Sequence, residues 1–447
     1  MVRFMNVFYE IVAPEIRTPR DVVRLMNALS VSWPAVGHEV DRADFVAIET
    51  LRILQSDIYR AVRANKDRLC GTNDESGRRI DDQQSSDYDR MLFGSSDLPK
   101  IDRRRRALMR LFPRLEGIWQ NMHYTSSSAT RWARQRLVCA EDHFDSYFRF
   151  SIGDEILPRK EIDEFIRRAS DKNFVTNSVR DALVVKRADG STKAALILDE
   201  LNLHADKVPD DDVQPLLTAL FSLGDEVNVD ADKAKAFGIG DNQLRIHWLL
   251  RRLTLERFDL PKRSAVFMTA AETAPVGWLV DFAASAYDDY HPREREQPEP
   301  EEKCLTTSGD ADRLRQMAVE KIRRAARSGE LIGHKRMPYL LFRWRDLAGD
   351  DGAEVKGWLD EHLAHDEAIV SLSKALTTYS WSQSMGDMVA RRITRAGVSR
   401  LELILDKTRF RARVEELAAK PDLPPADAES VRAFLDAWKR HDVNPND

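Results

Sequence analysis

Cysteine is scarce in this 447-residue chain: Cys70, Cys139 and Cys304 stand far apart, an odd number without metal-ligand spacing. That excludes a disulfide framework and a zinc module, and it fits a reducing compartment. Long apolar runs are missing as well. No stretch reaches the roughly 18 uninterrupted apolar residues of a membrane-spanning helix. Met1 to Glu15 mixes Arg3, Glu10 and Glu15 into its apolar residues, unlike the basic head and apolar block of a signal peptide. The expected location is therefore cytoplasmic, with any membrane contact peripheral. Charge of one sign is lacking too: 69 Lys and Arg against 74 Asp and Glu give a net −5. No global field draws such a chain to nucleic acid or an anionic membrane, and no specific nucleic-acid partner is expected. The phosphate-binding turn G-x-x-x-x-G-K-[ST] is absent. Its nearest imitation, Gly329 to Arg336, is one residue short, puts His334 before Lys335 and lacks the metal-holding hydroxyl.

What the chain has in quantity is helical periodicity. Val22, Leu25, Met26 and Leu29 fall at i, i+3, i+4, i+7, and each such stripe is expected to bury one helix face; a second runs through Phe45, Ile48, Leu51, Leu54 and Ile58. Leu108, Leu111, Phe112, Leu115 and Trp119 form a third, followed by the aromatic cluster Phe144, Tyr147, Phe148, Phe150. Asp241 or Asn242 can cap a helix bearing Leu244, Trp248 and Leu249, and Val431, Phe434, Leu435 and Trp438 mark a last helix. Strand patterns reduce to one short candidate, Leu183 to Lys186. The expected fold is mainly α, an irregular multi-helix array or set of bundles with at most one or two short strands. Composition shifts divide it into a helical region at 1–70, a polar loop at 71–100, a central helical domain at 101–290, an acidic proline-rich linker at 291–307 and a C-terminal helical bundle at 308–447.

Few residues point to chemistry. Ala195-Leu-Ile-Leu-Asp199-Glu200 imitates the apolar strand ending in acid that holds a nucleotide's metal. Lys193 before it and Leu201, Leu203 and Ala205 after it predict an amphipathic helix instead. Leu403 to Asp406 reads the same way. His362 and His365, three apart, share a face if one helix carries both, and Glu361 or Glu367 would complete a metal site there; in a charged helix the solvated reading is preferred. No Ser sits in a nucleophile elbow, so no catalytic residue and no resident metal are expected. Arg103, Arg104, Arg105 and Arg106 begin a helix that also carries Arg110 and Arg114, a cationic face for an acidic partner or ordinary solvated surface.

Two segments carry a family likeness. The first is Thr18-Pro-Arg20-Asp21-Val-Val-Arg24-Leu-Met-Asn27, with Val36-Gly-His-Glu39-Val40, Asp44-Phe45 and Ile48-Glu49-Thr-Leu-Arg52; the second is Arg136-Leu-Val-Cys139 with Phe144-Asp-Ser-Tyr147-Phe148-Arg149-Phe150-Ser151. Together they resemble the helical region following the nucleotide core of KAP-type P-loop NTPases, relatives of the STAND signalling ATPases whose bacterial members include phage-exclusion proteins. The resemblance implies that residues 1–70 correspond to a lid beside the nucleotide pocket, where Arg20 or Arg24 would sense the γ-phosphate. The plainer reading pairs Arg20 with Asp21, Glu39 or Asp44. It further implies a regulatory, sensing or effector-docking body in an anti-phage system, not the nucleotide-hydrolysing engine. A stand-alone interaction scaffold and a fragment whose nucleotide core is encoded upstream are the alternatives. ATP and Mg would enter only with a separate P-loop core; this chain needs no cofactor. Phe4, Val7, Phe8 and Ile11 would have lain against that core, leaving Phe4 and Phe8 to bind a protein partner or a second copy. The purified chain is expected to show no magnesium-dependent ATP or GTP turnover above blank. A rate abolished by a point change within the chain would overturn this reading.

Overall fold

The computed structural model describes residues 2–72, 82–95, 101–149, 156–233, 240–292, 297–382 and 391–443. Among them stand 24 α-helices, a few single turns of tighter or wider helix, and one two-stranded sheet. The fold is mainly α, as the periodicity indicates. Two compact units divide the chain. The first comprises Met1–Ala169, Asn177–Pro209 and Val229–Arg252; the second comprises Ser170–Thr176, Asp210–Asn228 and Leu253–Asp447.

The first unit is built around Phe45, Ile48, Leu51, Phe112, Leu115, Val138, Cys139 and Phe144, all buried in one cluster. Its first long helix, Pro19–Val36, starts on a capping box: the Thr18 hydroxyl accepts from the Asp21 N–H while the Asp21 carboxylate accepts from the Thr18 N–H. It ends at Gly37, where a Cβ would lie 2.4 Å from the Trp33 ring. The expected buried stripe is corrected here. Val22 and Met26 are exposed, and the helix turns Leu25, Ser32 and Val36 inward, because the Trp33 ring meets Phe45 edge-on at 5.5 Å and sets the rotation. The stripe on the next helix, Arg42–Leu54, buries Phe45, Ile48 and Leu51 as expected.

The polar stretch expected to be a loop also needs correction. Asp82–Phe93 is a helix whose sparse Tyr88 and Leu92 reach the core, and its Asp89, fully buried, takes a bidentate bond from Arg105. Met91 and Phe93 pack against the same cluster, so four apolar side chains at the end of the helix and one satisfied charge anchor it within a largely polar stretch. Residues 73–81 and Phe150 lie outside the described set. The strand candidate becomes the end of the Lys172–Val184 helix and a single bridge between Lys186 and Thr192.

In the second unit Phe221, Phe267, Trp278 and Phe282 form the aromatic centre, and Phe410, Phe434 and Trp438 form another beneath the Pro425–Val443 helix. Between them an antiparallel hairpin, Thr377–Ser382 with Arg391–Ala396, pairs Thr377 with Ala396 and Ser382 with Arg391. It lies within the expected C-terminal helical bundle, and its two short strands match the one or two expected of the fold. Thr, Tyr and Ile on alternating positions favour the extended form, and the second strand gains cover from the last helix. The end of the expected linker is packed, not solvated: Cys304, Leu305 and Thr306 are buried. Arg263, 4 % exposed, holds this segment by donating to the carbonyls of Cys304 at 2.7 Å, Glu301 at 2.6 Å and Phe258 at 3.2 Å. Replacing Arg263 by Ala removes the donor to the Cys304 and Phe258 carbonyls, while Glu301 keeps the Cys304 N–H, and should cost about 1–3 kcal/mol in urea denaturation. Faster proteolysis within 297–307 should accompany the loss.

Candidate functional site

A buried polar network joins the two segments that carry the family likeness. Glu39 follows the end of the Pro19–Val36 helix, and Arg136 sits at the end of the Ser126–Gln135 helix in the left-handed conformation, φ 56°. The Arg136 guanidinium, 1 % exposed, pairs with the Glu39 carboxylate and donates to the Leu157 carbonyl at 3.0 Å. Glu39 also accepts from the Arg159 N–H at 3.0 and 3.1 Å. Tyr147 closes the ring: its hydroxyl donates to the Arg136 carbonyl at 2.7 Å and accepts from the Asp41 N–H at 2.9 Å. Asp44, fully buried, accepts from Arg3 at 2.5 Å and from the Val138 N–H at 3.0 Å. Burial pushes the Asp44 carboxyl up to about 6, although Arg3 pulls the other way. Each charge here is repeatedly hydrogen-bonded, the condition for an enclosed ion pair to hold a fold together.

A second feature of the first unit is a polar cleft of about 520 Å³ lined by Asp142, His143, Arg187, Asp199, Glu200 and Arg245, among others. Its frame is well bonded. Asp232, 3 % exposed, accepts from the Thr192 N–H and hydroxyl, each at 2.6 Å, and from the Asn242 amide at 2.6 Å. Arg245 donates to Asp199 at 2.9 Å and to the Asp232 carbonyl at 3.0 Å. Glu200 differs: it is 6 % exposed, and among the described residues its enclosed Oε2 accepts no hydrogen bond. Arg136 stands 4.0 Å away and His204 Nε2 3.6 Å. Burial raises the Glu200 carboxyl to about 7, whereas burial and neighbouring cations hold His204 down at about 4 and His143 at about 3.

The residues singled out in the sequence fall elsewhere. Arg20 is exposed and pairs with none of the three carboxylates suggested for it, because Asp21 serves the cap, Glu39 holds Arg136 and Asp44 holds Arg3. Arg24, also exposed, donates to the Ile53 carbonyl at 3.3 Å. Arg103 pairs with Glu15 at 3.0 Å and Arg105 with Asp89, so the four-arginine run is split between internal bonds and the half-buried Arg104 and exposed Arg106. Phe4 and Phe8 are half-buried and stack with ring centroids 6.4 Å apart, while Val7 and Ile11 lie in the core. Ala195 to Glu200 is helical, within Lys193–Leu203, and Asp406 caps the Lys407–Ala419 helix. His362 ends one helix and His365 precedes the next, so the shared face a metal pair requires does not form. His334 faces Asp225 at 3.3 Å in the second unit.

The sequence assigns no role to Arg136, His143 or Asp232, and offers Glu39 only as a partner for Arg20. One signal was available: one or two charged residues set among apolar ones, as in Arg136-Leu-Val-Cys-Ala and Leu198-Asp-Glu-Leu-Asn-Leu, mark positions where a charge is drawn into the interior. Comparison with known proteins adds one relative. The chain is 21 % identical over 430 residues to the phage T7 exclusion protein of Escherichia coli (strain K12). The alignment covers 89 % of this chain and 55 % of that protein, so the chain spans about half the relative's length. No family profile and no solved structure matches it.

The raised Glu200 carboxyl sets a pH dependence. Its ordinary value is 4.5 and its folded value about 7, so the unfolded chain releases this proton first as pH rises. The favourable contribution is complete below 4.5 and is lost as pH climbs through about 7. Glu200→Gln cannot ionise. Its stability relative to the natural chain should be near equal at about pH 5 and greater by roughly 1–3 kcal/mol at about pH 8. Urea denaturation at the two pH values checks this, and a constant difference would refute the assigned cause.

Proposed function

We propose that this chain is a helical regulatory and docking body of an anti-phage exclusion system, and that its partner nucleotide core is of the KAP P-loop type. The similarity to a phage exclusion protein, extending over 89 % of the chain, carries this reading. The absence of a Gly-Lys-Ser/Thr phosphate turn from the sequence supports a role outside the hydrolytic step, and with it a cytoplasmic body that needs no cofactor of its own. The clasp of Glu39 and Arg136 gives the segments resembling KAP proteins a structural purpose: it holds a rigid body together. On that body the Pro19–Val36 helix presents Val22, Val23 and Met26, which are 43, 57 and 59 % exposed. Apolar side chains on one exposed helix flank suit a protein partner.

Expression of the gene with its adjoining reading frames in a T7-sensitive Escherichia coli host should reduce plaque formation by orders of magnitude. Arg136→Ala should restore plating by unfolding the first unit. Val22→Ser with Met26→Ser should restore it too, with the melting temperature unchanged, because exposed side chains contribute little to folding. Equal plating with and without the gene would defeat the defence reading. Full protection by the Val22/Met26 variant would defeat docking through this helix.

A further inference from the structure

Nearly every charged group lining the cleft of the first unit already has a partner among the described residues. Asp199 holds Arg245 at 2.9 Å, Asp189 holds Arg187 at 3.3 Å and Lys233 pairs with Asp230 at 2.8 Å, while Asp232 is saturated by Thr192 and Asn242. Two carboxylates remain. Asp142 stands exposed at the rim, and Glu200 is enclosed within. Arg136, the cation nearest Glu200, is committed to Glu39 and the Leu157 carbonyl, so one guanidinium serves two enclosed carboxylates. His204, held neutral, supplies no second charge.

A carboxylate so enclosed ordinarily accepts several hydrogen bonds, because losing its hydration without replacement is costly. The enclosed Oε2 of Glu200 accepts none. His143, 1 % exposed and also part of the lining, adds a second open acceptor: its ring donates to the Ala133 carbonyl, and its Nδ1 has no partner. Open acceptors without a spare cation call for a positively charged donor. A metal ion is a poor match, since among the described residues no three His, Cys, Asp or Glu gather as ligands. A volume of about 520 Å³ suits a small organic molecule.

We propose that this cleft binds a small organic cation, a guanidinium or primary ammonium group, held between Glu200 inside and Asp142 at the rim. The guanidinium plane presents donors in a fork that a carboxylate accepts in two parallel bonds, so a guanidinium should bind more tightly than an ammonium. The cation can belong to a free metabolite or to an arginine side chain of a peptide, and the chemistry recognised is the same.

Titration calorimetry on the full chain with agmatine, putrescine and acetyl-Gly-Arg-Gly-amide tests this, with an uncharged amide analogue of agmatine as control. Saturable binding of agmatine is expected, about tenfold weaker in both Asp142→Asn and Glu200→Gln. Asp142→Asn alters only an exposed rim residue, so its fold is preserved even if the enclosed Glu200→Gln change perturbs packing. Binding of the peptide alone would also support the proposal and identify the cation as a side chain. No heat from any cationic probe at about 10 mM, ten times a weak millimolar site, would overturn it. Equal binding of the uncharged analogue, or unchanged affinity in both variants, would overturn it as well.

Discussion

The first unit depends on the Arg136–Glu39 pair. A guanidinium and a carboxylate removed from water are stable only when each retains a full set of hydrogen bonds, and here the set is drawn from distant parts of the chain. Glu39 comes from the end of one helix, Arg136 from the end of another, and the Leu157 carbonyl and Arg159 N–H from the segment leading into a third. Because the lost hydration must be replaced at each position, the three segments are fixed together or not at all. Tyr147 and Asp44 extend the requirement by spending a hydroxyl and a carboxylate on backbone groups of the same segments. The left-handed backbone at Arg136 belongs to this arrangement, since it ends the Ser126–Gln135 helix where the guanidinium must turn inward.

The cleft inherits its electrostatics from that pair. Arg136 lies 4.0 Å from Glu200 but gives its hydrogen bonds to other groups, so Glu200 feels a cation without being bonded to it. Burial then dominates and favours the protonated form. The neighbouring histidines are affected in the opposite sense by the same enclosure, which disfavours their charged form. The outcome is a polar cavity in which the imidazoles are neutral and the Glu200 carboxyl exchanges its proton near neutral pH, although the lining is rich in charged residue types. Asp199, Asp189 and Lys233 do not alter this, because each is neutralised within its own wall.

The helices with dense apolar stripes were legible. Phe45, Ile48 and Leu51 point inward as their spacing indicates, and Asp241 caps its helix by accepting from the Leu244 N–H at 2.8 Å. Less was legible where few residues decide. Asp82–Phe93 folds on a few apolar side chains in its last turns, Tyr88, Met91, Leu92 and Phe93, and one buried carboxylate, which a polar first half conceals. The Thr377–Ser382 hairpin lies between helices and is too short for alternation to outweigh them. The Pro19–Val36 helix was read correctly as a helix but with its faces rotated, because two apolar flanks compete and only the Trp33–Phe45 contact chooses between them.

The sequence by itself determined that the chain is helical and lacks a phosphate-binding turn, since both follow from local spacing: 3.6-residue periodicity for the first, a fixed run of Gly, Lys and hydroxyl for the second. It also contained the resemblance that groups Glu39 with Arg136, without saying why the two belong together. Only the tertiary structure decided that they are bonded, that Asp199 is neutralised by Arg245 and that the enclosed Oε2 of the adjacent Glu200 is left without a donor. The physical reason is distance along the chain. Helix formation is governed by neighbours within a few residues, whereas the state of a buried charge depends on which groups 21 to 120 positions away replace its water, and no local pattern encodes that choice.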